Sequence, residues 1–257
     1  MAPENTLKAA RIAHETGADL WETDVAMTRD GHLILFHDDT LLRCTDARKK
    51  FPSRASYRVE DFDLKEIRAL DAGSYFIETD PFGQISQGKV GREAQAFFIG
   101  EPVPLLEEGL ILTLEENWAI NLELKFFGAG PEDFHLPDHT LAVIRRTQIP
   151  LSRVIISSFH HPWLLRIMEK APELEVQALV GDSDTEPLDF GDFFFSTYNA
   201  NAVLIHPDQI KDLKDRGKRI NLFTVNDPGE FSRFSGLGVD GIFTDFPQWF
   251  ANRICEK

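Results

Sequence analysis

Short apolar runs alternate along the chain with longer stretches whose apolar residues recur at helical spacing. Leu7, Ala10 and Ile12 lie between Asn5 or Thr6, either of which can cap a helix, and Gly17, which can end one, so a helix is predicted over Thr6–Thr16. Asp19–Val25 and His32–Phe36 read as strands on either side of Arg29-Asp30-Gly31, a turn signal. Residues 38–101 break the rhythm: they are polar, carry Pro52, Pro81 and several glycines, and hold a basic run, Arg48-Lys49-Lys50, suited to solvent. Leu64–Leu70 suits a short helix, and the scattered apolar residues suggest an insertion rather than a separate core. Helices near Leu105–Leu114, His139–Thr147, Pro162–Lys170, Pro207–Arg216 and Pro228–Ser235 follow. They alternate with strands at Ala119–Leu124, Arg153–Ser157, Glu175–Val180, Ala202–Ile205, Arg219–Thr224 and Gly241–Phe243, and a last helix is expected near Trp249–Cys255.

Such alternation argues for parallel βα units in an α/β fold. The main strands number about seven, whereas a closed (β/α)8 barrel needs eight. The chain opens on a helix, so the missing element would be the first strand.

At 257 residues, 42% of them hydrophobic, the chain suffices for one large domain. The formal net charge of -15 disfavours nucleic acid or an anionic membrane surface as a main partner. Cys44 and Cys255 lie too far apart in sequence to suggest a disulfide framework or a zinc motif. No apolar stretch approaches the roughly 18 residues that span a bilayer. The first residues have neither the charged start nor the apolar run of a signal peptide. A cytoplasmic location is the expectation.

Candidate chemistry begins at Trp21-Glu22-Thr23-Asp24-Val25. Residues two apart on a strand share a face, which puts Glu22 and Asp24 together and Trp21, Thr23 and Val25 opposite. Paired acids are commonly a solvated outer face, but here the other face has a buried character. A divalent cation relieves their repulsion, and an all-oxygen set suits Mg²⁺ or Ca²⁺ better than zinc. His37, after the run Leu33-Ile34-Leu35-Phe36, is a candidate acid or base beside that cation. Asn121, Glu123 and Lys125 share a face near a strand's C-terminal end, where barrels build their sites. Glu123 is a candidate third ligand and Lys125 a candidate phosphate contact; the alternative is a structural Glu–Lys pair. Ser157 or Ser158 can donate to a bound oxygen. His160 and His161, being adjacent, do not point the same way and read as loop or capping residues. Asp227 and Asp245 read as helix caps. Phe223 either lines the site mouth or packs. No Gly-x-Ser-x-Gly elbow is present.

In order along the chain, Ala2-Pro3-Glu4-Asn5-Thr6, Glu22-Thr23-Asp24, Thr28-Arg29-Asp30-Gly31, Phe36-His37-Asp38-Asp39-Thr40-Leu41, Asn121-Leu122-Glu123-Leu124-Lys125, Ser157-Ser158-Phe159, Thr224-Val225-Asn226-Asp227-Pro228 and the run from Gly238 to Asp245 resemble the glycerophosphodiester phosphodiesterase family. The resemblance covers nearly the whole chain, residues 1–257 as one barrel domain. It implies a TIM barrel, with residues 38–101 as an insertion beside the barrel mouth. It also implies metal-dependent hydrolysis of glycerophosphodiesters to glycerol 3-phosphate and an alcohol. By the same resemblance Glu22, Asp24 and Glu123 hold Mg²⁺ or Ca²⁺, His37 is one of two acid/base histidines and Lys125 contacts the phosphate; from their positions, Ser158 and Phe223 are further candidates to meet the substrate.

The sequence departs from that pattern in one major respect. Family chains begin with a strand ending in His-Arg, which supplies the second histidine and a phosphate-binding arginine, ahead of the Pro-Glu-Asn-Thr segment. The expectation is an active phosphodiesterase whose true N-terminus lies upstream, which also leaves a periplasmic or secreted location open. Two alternatives stand beside it: a catalytically impaired barrel that binds a phosphorylated ligand or a partner, and a lysophospholipase D-like phosphodiesterase. Leu105 and Phe223 stand where the family favours Thr and often Trp.

Overall fold

The computed structural model describes residues 1–128, 133–182 and 187–250. The first helix, α1 (Leu7–Glu15), is capped by Thr6, whose side chain accepts from Ala9 N. It ends at Gly17, whose φ of 86° lets Ala18 N reach the Ala13 carbonyl. Strands β1 (Trp21–Met27) and β2 (Leu33–Leu35) form an antiparallel hairpin around the expected turn. Four short helices follow: α2 (Ala47–Lys50), α3 (Leu64–Ile67), α4 (Ser74–Thr79) and α5 (Arg92–Phe98).

From α6 (Leu106–Glu115) onward, helices and strands alternate: β3 (Ile120–Leu124), α7 (His135–Thr147), β4 (Val154–Ser158), α8 (His161–Lys170), β5 (Glu175–Val180), β6 (Thr197–Asn201), α9 (Pro207–Asp215), β7 (Arg219–Phe223), α10 (Pro228–Gly236) and β8 (Gly241–Ile242). The strands form one eight-stranded sheet of order β2-β1-β3-β4-β5-β6-β7-β8, and every neighbouring pair except β1–β2 is parallel. Residues of β1 and of β3 to β8 line a single cavity of about 1530 Å³, so the sheet curls into an incomplete barrel. β2 covers only Val25–Met27 of β1. Among the described residues, no strand lies against the first half of β1 on that side, nor against the outer edge of β8. Ala9, Ala13 and Leu20, near β1 in sequence, and Phe231, Val239 and Ile242, near or on β8, line the same cavity.

Two elements differ from expectation. The strand placed at Ala202–Ile205 lies instead at Thr197–Asn201; Val203 is 83% exposed and its neighbours form a turn. The apolar run was the misleading signal, because β6 alternates outward Tyr198 and Ala200 with inward polar residues. Residues 38–101 also prove to have a core. Phe62, Phe76 and Phe98 are buried with Ile67 and Val59 against Ala26 and Ile34 of the hairpin. Each such side chain contributes roughly 1.5–3 kcal/mol by leaving water. A larger cluster lies between the outer strand faces and the helices. There α6 approaches so closely that a Cβ on Gly109 would stand 2.9 Å from Leu35 Cδ1. Arg48, Lys49 and Lys50 are exposed as expected. Pro247–Trp249 forms a single 3-10 turn, and the helix expected to Cys255 extends outside the described residues. No described helix is long and apolar enough to cross a membrane.

Candidate active site

Strand register brings the acidic residues together. In the parallel pairing of β1 with β3, Glu22 stands beside Asn121 and Asp24 beside Glu123. One carboxylate oxygen from each of Glu22, Asp24 and Glu123 lies within 4.8 Å of the others. Lys125, one residue past β3, reaches back over them: its Nζ is 2.7 Å from Glu123 Oε1 and 3.5 Å from Asp24 Oδ1. The Glu–Lys pair of the structural reading is thus formed, and it faces the acidic cluster.

The electrostatics follow from crowding in an enclosed place. Glu22 is reached by solvent from the cavity, yet partial desolvation by the surrounding chain first, then the charges of Asp24 and Glu123, push its carboxyl well above its usual range. Burial and the Asp24 charge raise Glu123 to about 7. Burial opposes the Lys125 ammonium, but Asp24 and Glu123 outweigh it and raise its pKa. Asp24 Oδ1 is buried and, among the described residues, accepts no hydrogen bond. Three converging carboxylates, one with a buried oxygen that accepts no hydrogen bond, fit a hard divalent cation.

His37 follows β2 and lines the same cavity. Phe36 N donates to the Asp24 carbonyl (2.9 Å), which ties the histidine's segment to the acidic strand. His37 Nδ1 lies 2.8 Å from Asp38 Oδ1, and this hydrogen bond raises the imidazole pKa. Among the described residues, His37 is the histidine that lines the cavity.

The other expected site residues divide. Phe223 lines the cavity and meets the edge of Phe159, with ring centroids 5.8 Å apart. Ser158 does not reach the cavity. It is fully buried, its Oγ donates to the Leu124 carbonyl (2.9 Å) and also accepts from His160 N (3.1 Å). Ser157, on the opposite face, does line the cavity, and its Oγ donates to Asn121 Oδ1 (2.9 Å). His160, just before α8, stacks on Phe126, and His161, the first residue of α8, bonds the Leu179 carbonyl through Nε2; neither lines the cavity. Asp227 caps α10, but Asp245 caps no helix among the described residues: it lines the cavity and accepts from Asn226 Nδ2 (2.6 Å).

Sequence reasoning missed two further participants. Asn5 was considered only as a cap. It holds a left-handed backbone (φ 53°), and its Nδ2 donates to Asp24 Oδ2 (2.8 Å). Its Oδ1 accepts from Asp24 N (2.9 Å) and Thr23 Oγ1 (2.5 Å), so one amide fixes both the backbone and the carboxylate of Asp24. Arg43 bridges Asp38 and Glu4 through both ends of its guanidinium. The only sequence signal for either was its position within a segment quoted for the resemblance or just after one.

Comparison with known proteins agrees with this geometry. Residues 1–249 match the Glycerophosphoryl diester phosphodiesterase family. A glycerophosphodiester phosphodiesterase of Caldanaerobacter subterraneus subsp. tengcongensis is 31% identical over 98% of this chain and 92% of its own length. One from Bacillus altitudinis is 31% identical over 95% of this chain and 90% of its own. An Oleispira antarctica phosphodiesterase, solved with the product sn-glycerol-3-phosphate, superposes with a TM-score of 0.78 at 23% identity. It covers 99% of this chain and 92% of that one, and it supports the fold. The matching profile, the relatives above 30% identity and the shared barrel agree, and the chain belongs to the glycerophosphoryl diester phosphodiesterase family.

Proposed function

We propose that this protein hydrolyses glycerophosphodiesters to glycerol 3-phosphate and an alcohol, with Mg²⁺ or Ca²⁺ held by Glu22, Asp24 and Glu123. The observation that carries the reading is the meeting of these three carboxylates with Lys125 and His37 at one end of one cavity. When bound, the cation supplies positive charge that polarises the phosphoryl oxygens and offsets the negative charge of the transition state. Lys125 adds a second positive charge and orients a non-bridging oxygen. With its Nδ1 engaged by Asp38, His37 works through Nε2: unprotonated it accepts the nucleophile's proton, and protonated it delivers one to the departing alkoxide. The Phe159–Phe223 corner offers an apolar wall to the substrate's carbon skeleton.

The gap between β8 and the first half of β1 supports a further part of the proposal. One more strand there would close a (β/α)8 barrel around the site, with residues 38–101 as the insertion beside its mouth. By the family resemblance, that strand carries the second acid/base histidine and an arginine for the phosphate. Release of glycerol 3-phosphate from glycerophosphodiesters, with and without a divalent cation, tests the reading. The assay is run on this chain and on a version extended upstream by its in-frame codons. The chain alone should turn over about 10²–10⁴-fold more slowly, as expected for the loss of one acid/base group. Equal activity would remove the eighth strand from the mechanism, and inactivity of both forms with every head group would overturn the activity itself. In that last case, heat released on titration with glycerol 3-phosphate would favour the ligand-binding barrel. Turnover confined to long-chain substrates would favour the lysophospholipase D-like reading.

A further inference from the structure

Arg43 makes two bidentate contacts at once. Its Nε and Nη2 donate to the two oxygens of Asp38 (both 2.7 Å), and its Nη1 and Nη2 donate to the two oxygens of Glu4 (both 2.7 Å). Asp38 in turn faces His37 Nδ1 at 2.8 Å. Glu4 is anchored from its backbone side as well, where its N donates to the hydroxyl of the buried Tyr75 (3.1 Å). A continuous chain of contacts thus runs from residues 38–101 through Glu4 and Arg43 to the imidazole.

We propose that Arg43 is a positioning residue for the reaction: through Asp38 it fixes the tautomer and ring orientation of His37. The proposal rests on His37 being the acid/base group. A carboxylate that receives two guanidinium hydrogen bonds stays ionised and can only accept. Asp38 therefore demands the proton on His37 Nδ1 and leaves Nε2 as the nitrogen that does chemistry. His37 needs such a device, because its side chain is 51% exposed and it sits past the end of a three-residue strand. Packing alone does not hold a ring there. Lysine at position 43 would not serve. An ammonium is a point charge on a flexible stem, whereas the planar fork spans two carboxylates at fixed angles.

The geometry also gives Glu4 a share in the device. It anchors the far side of the guanidinium and keeps the fork aligned with Asp38. The next residue, Asn5, fixes Asp24. The dipeptide Glu4-Asn5 therefore braces the histidine with one side chain and the acidic cluster with the next.

The deciding experiment is long-range ¹H–¹⁵N correlation of the His37 ring in the full chain above its pKa, a readout that needs no turnover. The wild type should show the Nδ1–H tautomer as the dominant form. In Arg43→Met and Arg43→Lys the population should move toward Nε2–H, and Asp38→Asn should do the same. In the turnover-competent form, Arg43→Met should lower kcat about 10–100-fold, as loss of an orienting outer partner commonly does, with KM little changed. If Arg43→Met unfolds, Asp38→Asn, which keeps the side chain's volume, decides in its place. An unchanged tautomer in folded Arg43→Met, or in Asp38→Asn, would make Arg43 a structural clamp and overturn the proposal. A shifted tautomer with unchanged kcat would leave the device intact and count instead against His37 as the acid/base group.

Discussion

The two halves of the site are fixed by different means. Glu22, Asp24, Glu123 and Lys125 ride on or just past β1 and β3, where parallel register sets Asp24 beside Glu123 before any side-chain contact is considered. His37 follows the short β2 and depends on a hydrogen-bond chain through Asp38, Arg43 and Glu4. Backbone pairing places charge with little side-chain help, whereas a loop residue must borrow its precision from distant partners. Mutations in the first half should therefore remove a component, and mutations around the second should loosen one.

The sharpest break should come from Glu123→Ala. It removes one of three converging carboxylates and leaves Lys125 without its 2.7 Å partner. Turnover should fall below detection, and the rise in melting temperature on adding Mg²⁺ or Ca²⁺ to the wild type should disappear. A variant that still melts higher with the cation would take Glu123 out of the ligand set. His37→Ala should cost about 10²–10⁴-fold in kcat while keeping that cation response. Simultaneous loss of both responses would mean that the two halves are not independent.

Asn5→Ala lies between the halves in effect. The amide holds both the N–H and Oδ2 of Asp24, so its loss lets the ligand swing without removing it. Affinity for the cation should weaken about 10–100-fold, as for other partners that orient a ligand. Calorimetric titration of the full chain measures it, and an unchanged affinity would make Asn5 a backbone brace only.

The same contrast decides what could be read in advance. Glu22, Asp24, Glu123 and the strands that carry them were legible because period-two alternation is a local property of five residues. A cap at Asn5 or Thr6 and the stop at Gly17 were legible for the same reason, and the structure chooses Thr6. β6 was misplaced because its inward side faces a polar interior: Asn221 Nδ2 donates to Asn199 Oδ1 (2.9 Å), and such a strand reads as a loop. The core within residues 38–101 went unseen because Val59, Phe62, Ile67, Phe76 and Phe98 follow no single period and come together only through folding onto the hairpin. Ser158 was assigned to the substrate because the alternation of Ser157 and Ser158 could not say which one faces inward. Asn5 was missed because its partner Asp24 lies 19 residues away, and Arg43 because its bridge from the nearby Asp38 ends on Glu4, 39 residues away, beyond the reach of spacing arguments.

The smallest expected effect is the one that Asp38→Asn has on stability. Burial opposes ionisation of Asp38, but the hydrogen bonds from His37 and Arg43 outweigh it and hold the carboxyl far below its usual range. A carboxyl depressed in the folded state stabilises the protein at every pH above its unfolded value, about 3.9, and loses that contribution as pH falls through and below it. Asp38→Asn should therefore cost about 1–3 kcal/mol near neutral pH, the usual loss when a charged hydrogen-bond partner is removed. The gap between wild type and variant should narrow as the pH is lowered below about 4. Urea unfolding of both proteins at pH 7 and in acid measures the gap. A constant difference would mean that Asp38 contributes through shape rather than charge, and the loop around His37 would then be held by packing after all.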